Sequence, residues 1–191
     1  MNYQDNRCFL VRHGETEWSL SRRHTGRTDL PLLPEGTVQA ESLQERLAGH
    51  RFALVLTSPL LRARETSRLA GWGDRAEVDP DLAEWDYGDY EGLTTAEILV
   101  EQPDWDLFAD GATGGETALE VGSRADRVIA RIRATDGDVL CFAHGHLLRV
   151  LGARWLGLPP SEGRSFTLDP ASISVLGWER SHPVVMRWNL S

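Results

Sequence analysis

The chain has 191 residues, 41% of them hydrophobic and 26% charged, with a net charge of −9 at pH 7. That length carries one core of ordinary size rather than two. The acidic balance excludes a surface built for nucleic acid or an anionic membrane, and no apolar run reaches the roughly 18 residues of a membrane span.

In chain order, the run CFLVR at 8–12 is short, apolar and closed by Gly14, the pattern of a buried strand. Residues 35–50 place Val38, Leu43 and Leu47 at helical spacing and end near Gly49, which predicts a helix. Leu54–Leu56 reads as a second buried strand. Ser58 and Pro59 offer an N-cap and a first-turn proline for a helix running to about Ala70. A short strand is expected at 77–78, a loop with aromatics at 84–92, and a short helix at 95–102 stopped by Pro103. Residues 117–134 predict an amphipathic helix with Leu119, Val128 and Ile132 among its apolar positions. A further buried strand at 139–143 precedes a helix at 146–156, and late strands are expected at 173–178 and 184–188. Strands alternating with helices predict a single α/β domain with a mostly parallel sheet, in which ligands sit outside the carboxyl ends of the strands. A segment at about 85–116 is expected as a short lid or insert.

Two predicted strands end in the same dipeptide: His13-Gly14 follows FLVR, and His144-Gly145 follows CFA. If these strands pair side by side, both imidazoles meet at one edge. Arg12 lies beside the first, and Arg62 falls in the first turn of the helix after the strand at 54–56, so both forked cations point to that edge. All 20 cations are Arg; eleven lie at or before Arg75 and none between Glu84 and Arg124. Cys8 and Cys141 sit inside apolar runs, and the N-terminal residues lack the apolar core and cleavage site of a secretory signal, so two free thiols in a cytoplasmic protein are expected. Neither cysteine is followed by the Arg that a phosphate-binding thiolate loop needs, and no GxxxxGK[ST] occurs.

The blocks LVRHGETEW around His13, TSPLLRARET around Arg62, EWDYGDYEG from Glu84 and FAHGHLLR around His144 resemble the histidine phosphatase superfamily. The combination with TGRTDLPL looks closest to its sugar-bisphosphate phosphatase branch. The resemblance implies a three-layer α/β/α fold of the phosphoglycerate mutase type and a phosphatase of a small phosphorylated metabolite, a sugar phosphate or bisphosphate. It implies His13 as nucleophile and Glu84 as proton donor, with Arg12, Arg62 and His144 stabilising the transferring phosphoryl group. Ser19, Thr25, Gly26, Tyr87 and Gly145 are then expected near the substrate, and Arg27 and Arg64 at the far end of an extended one. No metal and no cofactor is implied, and a homo-oligomer is left open. A phosphoglycerate-type mutase is the runner-up and a non-catalytic binding module the third reading. The absence of cations between Glu84 and Ser123 argues against the mutase.

Overall fold

In a computed structural model the described residues are 6–191. Six strands form one sheet: β1 (Cys8–Arg12), β2 (Leu54–Thr57), β3 (Glu77–Val78), β4 (Val139–Ala143), β5 (Ile173–Glu179) and β6 (His182–Leu190), in the spatial order β3-β2-β4-β1-β5-β6. β1, β2, β3 and β4 run parallel, while β5 and β6 close the other side antiparallel. The mostly parallel α/β architecture matches the sequence expectation.

The side-chain alternation of the central strands builds two core layers. Cys8 and Leu10 of β1, with Val139, Cys141 and Ala143 of β4, face one layer; Phe9 and Val11, with Leu140 and Phe142, face the other. The first layer is completed by α6 (Ala118–Arg133) and α7 (Gly145–Trp155), the second by α2 (Pro34–Leu47) and α3 (Leu61–Leu69). Three short helices, α1 (Glu17–Leu20), α4 (Thr95–Glu101) and α5 (Leu107–Asp110), lie in the connections.

In two predicted helices, one of the three apolar positions named from the sequence turns outward while the other two are buried. In α2 the buried positions are Gly36, Ala40, Leu43 and Leu47, and Val38 is exposed. In α6 they include Ala118, Val121, Ala125, Val128 and Ile132, and Leu119 is exposed. The buried stripe runs through these positions at helical spacing, and Val38 and Leu119 fall off it. Ser58 does not cap α3 either. The helix starts at Leu61, and the Ser58 hydroxyl accepts from the Leu60 N–H instead. The segment 85–116 is a packed wall: Trp85, Tyr87, Tyr90, Trp105 and Phe108 are buried in the first core layer. No described helix is long and apolar enough to cross a membrane.

Candidate active site

β1 and β4 are direct neighbours with Arg12 opposite Ala143, so the residues that follow them emerge side by side. The His13 N–H continues the ladder to the Ala143 carbonyl at 3.0 Å, and the His13 and His144 ring centroids lie 5.2 Å apart. His13 Nδ1 is 2.7 Å from the Gly14 carbonyl oxygen, which only accepts, so Nδ1 carries the proton. Nε2 is therefore left with its lone pair on a residue that lines the main cavity. Burial, with Arg62 and Arg12 nearby, pushes the His13 pKa well below its ordinary value, which keeps the imidazole neutral and nucleophilic at pH 7. Gly14 serves packing more than ligand approach: a Cβ there would lie 2.3 Å from the Gly36 carbonyl oxygen.

His144 is wholly buried, and both its nitrogens are engaged. Arg62 Nε donates to its Nδ1 at 3.2 Å, which fixes the proton on Nε2, 2.6 Å from the Ser58 hydroxyl. Arg62 is also wholly buried, and it donates through Nη1 to the Thr28 carbonyl and through Nη2 to those of Thr25 and Gly26. Four of its five N–H groups are so committed, leaving one on Nη1. Arg62 and His144 thus form a layer behind His13 rather than the cavity lining.

Arg12 is arranged differently. Its Nη1 donates to the Leu168 carbonyl, and its Nε is sealed from solvent without any partner. A buried guanidinium N–H left unpaired is costly, so this donor is suited to an anion oxygen. Gly145, the first residue of α7, lies against the same guanidinium.

Glu84 is nearly buried and lines the cavity. Its carboxylate accepts from three backbone N–H groups: Trp85 at 2.9 Å, and His146 at 3.1 Å and Leu147 at 2.9 Å in the first turn of α7. It stands at a helix N-terminus, where negative charge is favoured. The Tyr87 hydroxyl is 2.6 Å from His146 Nδ1, so its polar tip is spent on that imidazole.

The cavity, about 480 Å³, brings together Arg12, His13, Ser19, Thr25, Glu84, Tyr87 and Gly145 from the sequence expectation. The Ser19 hydroxyl bridges the Thr16 N–H and carbonyl in a capping box. The Gly26 N–H donates to Glu91 and so is not available to substrate. Arg27 and Arg64 do not join the site. Arg27 is an exposed side chain paired with Asp86, and Arg64 lines a separate depression with Leu61 and Arg68. The cavity is lined instead by Arg22, by Arg149 and by Arg23, which also pairs with Glu97, together with His24 and His146. Arg149 was legible in principle: it follows Gly145 by four residues, so both share one face of α7. Among the described residues, no three of His, Cys, Asp and Glu are arranged to hold a metal ion.

Comparison with known proteins gives the family. Residues 8–191 match the family model described as histidine phosphatase superfamily (branch 1). An acid phosphatase of Mycobacterium tuberculosis is 41% identical over 94% of this chain and 90% of its own length. The sedoheptulose 1,7-bisphosphatase of Saccharomyces cerevisiae is 42% identical over 80% of this chain and 68% of its own. The solved structure of the M. tuberculosis open reading frame Rv3214 superposes with a TM-score of 0.93 at 39% identity, covering 97% of this chain and 98% of that one. With its paired strand-end histidines, its buried Arg62 and a family match that runs from β1 to the last residue, the chain belongs to the histidine phosphatase superfamily, branch 1.

Proposed function

We propose that this histidine phosphatase hydrolyses a small phosphorylated metabolite, a sugar phosphate or bisphosphate, through a phosphohistidine on His13. One observation carries the reading: a neutral His13 lines the cavity with only Nε2 unused, beside the unpaired, sealed Nε of Arg12. Nε2 attacks phosphorus in line; the N–P bond forms as the ester P–O bond breaks, and Glu84 gives the leaving oxygen its proton. Water then attacks phosphorus, Glu84 takes back a proton, the N–P bond breaks and inorganic phosphate leaves. Arg12 at the cavity wall and, from the layer behind His13, the spare Nη1 N–H of Arg62 stabilise the charge on the equatorial oxygens. His144 fixes Arg62. Chemistry of this kind needs no metal, and the free, buried Cys8 and Cys141 suit the reducing cytoplasm.

The cavity extends past the nucleophile to Arg22, Arg23 and Arg149, which favours a substrate with a second anionic group. The same cations weaken the charge argument against a phosphomutase, because they come from the first loop and α7 rather than from residues 84–123. Product analysis separates the readings. Incubation with a panel of sugar phosphates and bisphosphates is expected to release inorganic phosphate. A coupled enolase assay on 3-phosphoglycerate with 2,3-bisphosphoglycerate is expected to show negligible isomerisation; isomerisation faster than phosphate release overturns the reading.

A further inference from the structure

Glu91 is the last acidic residue of the EWDYGDYEG block and takes no part in the chemistry above. It is half-buried, and its carboxylate is aimed at backbone: Oε1 accepts from the Gly26 N–H at 3.0 Å and the Thr28 N–H at 2.9 Å, and Oε2 from Gly26 again at 2.9 Å. The residues on either side zip the same two segments together. The Gly92 N–H donates to the His24 carbonyl, and the His24 N–H to the Leu93 carbonyl, each at 2.9 Å. The approach is so close that a Cβ on Gly26 would sit 2.7 Å from Glu91 Oε2 and 2.6 Å from the Trp85 carbonyl oxygen.

What Glu91 holds on one side, Arg62 uses on the other. The carbonyls of Thr25, Gly26 and Thr28 are the three that bind the Arg62 guanidinium, at 2.8, 3.1 and 3.0 Å. The peptide group joining Thr25 to Gly26 therefore lies directly between the carboxylate, bound by its N–H, and the guanidinium, bound by its C=O. The Gly26 and Thr28 carbonyls flank it on Arg62 and the Thr28 N–H flanks it on Glu91, and hydrogen bonds in such a chain polarise one another. Arg62 in turn has a single N–H free for a phosphoryl oxygen. The direction of that N–H is set by the four bonds already made, three of them to this loop. A loop that relaxes re-aims the donor.

We propose that Glu91 is a positioning residue, which sets the one uncommitted N–H of Arg62, the group that the phosphatase reading assigns to a phosphoryl oxygen, through the backbone of residues 25–28. The inference rests on the phosphatase reading, since it presumes that Arg62 binds the phosphoryl group. It assigns a task to an acidic residue that a phosphate site would otherwise be expected to exclude: its charge is spent on backbone N–H groups and on the far side of an arginine, out of the cavity.

The test is a double-mutant cycle read by orthovanadate inhibition and by kcat on p-nitrophenyl phosphate. Glu91→Gln keeps the shape but sets an amide NH₂ against the Gly26 N–H, and Glu91→Ala removes the clamp. Each is expected to weaken vanadate binding and lower kcat by on the order of 10- to 100-fold, the scale of a misplaced catalytic donor. KM on the aryl ester should change less than kcat. In the Arg62→Ala background, Glu91→Gln should add less than about threefold, because the group it positions is gone. Additive losses overturn the inference, as does wild-type vanadate affinity in either single variant. If Glu91→Ala does not fold, the Glu91→Gln arm decides alone. Wild-type protein that neither turns over nor binds vanadate refutes the phosphatase reading itself, a different outcome from an active enzyme indifferent to Glu91.

Discussion

Replacing Glu84 by Gln tests the proton-donor role, and the structure supplies both sides of the arithmetic. The amide keeps one oxygen, which can still accept from Trp85 and Leu147 as Oε1 does now. Its NH₂ then faces the His146 N–H, where a carboxylate oxygen accepted at 3.1 Å. One buried donor left without an acceptor costs about 1–3 kcal/mol. For a domain of this size that lowers Tm by roughly 2–12 °C. Native stability is typically about 5–15 kcal/mol, so the variant stays folded and its kinetics are those of the native site. The chemical loss is larger. A general acid contributes on the order of 10²–10⁴ when the leaving oxygen is a poor leaving group, or about 3–5 kcal/mol. First-turnover rates on glycerol phosphate should fall by that factor. First-turnover rates on p-nitrophenyl phosphate, whose leaving group needs no proton, should fall less than tenfold. Rapid-quench measurement of the two bursts, alongside a thermal melt, reads all three quantities. Equal losses on both esters would refute the assignment of Glu84 as the acid, and leave it as the clamp of the α7 N-terminus.

Two further predictions concern residues around the nucleophile. Arg149→Met should lower kcat/KM for a sugar bisphosphate by roughly 10- to 150-fold, the value of about 1.5–3 kcal/mol for a charge-assisted hydrogen bond, with a much smaller effect on phenyl phosphate; equal losses on both would place Arg149 in the fold rather than in specificity. Burial lowers the pKa of His13, His144 and His146, so the unfolded chain takes up protons near pH 6.5 that the native protein refuses. Stability should therefore fall as the pH drops below about 6.5, by up to about 1.4 kcal/mol per pH unit for each histidine. Thermal melts between pH 7.5 and 5 check this, and a flat profile would contradict it.

Most of the strand framework was legible because β1 and β4 are buried on both faces and read as continuous apolar runs closed by His-Gly. Pairing those two strands was the one topological step that the motifs needed, and it put His13 beside His144. Helix faces were less legible. Val38 and Leu119 are apolar but fall off the buried stripe, where Gly36, Ala40, Ala118 and Ala125 take positions that hydrophobicity alone does not mark, a choice made by tertiary packing. The site's second layer was invisible for a similar reason. The contact between Ser58 and His144 spans 86 residues and that between Glu91 and Gly26 spans 65, and neither leaves a periodicity to detect. Arg27 and Arg64 failed because sequence proximity to the motif says nothing of direction. Arg27 turns outward to Asp86, and Arg64 lies two residues from Arg62, on another face of α3.

The central claim is that the phosphoryl group passes through His13. Rapid acid-free quenching of the enzyme with a labelled sugar bisphosphate, followed by mass spectrometry, tests it most directly. The account predicts a base-stable, acid-labile phosphate on Nε2 of His13, absent in His13→Ala, which should fold normally and lose turnover. A phosphate on any other residue, or turnover in His13→Ala, would contradict it.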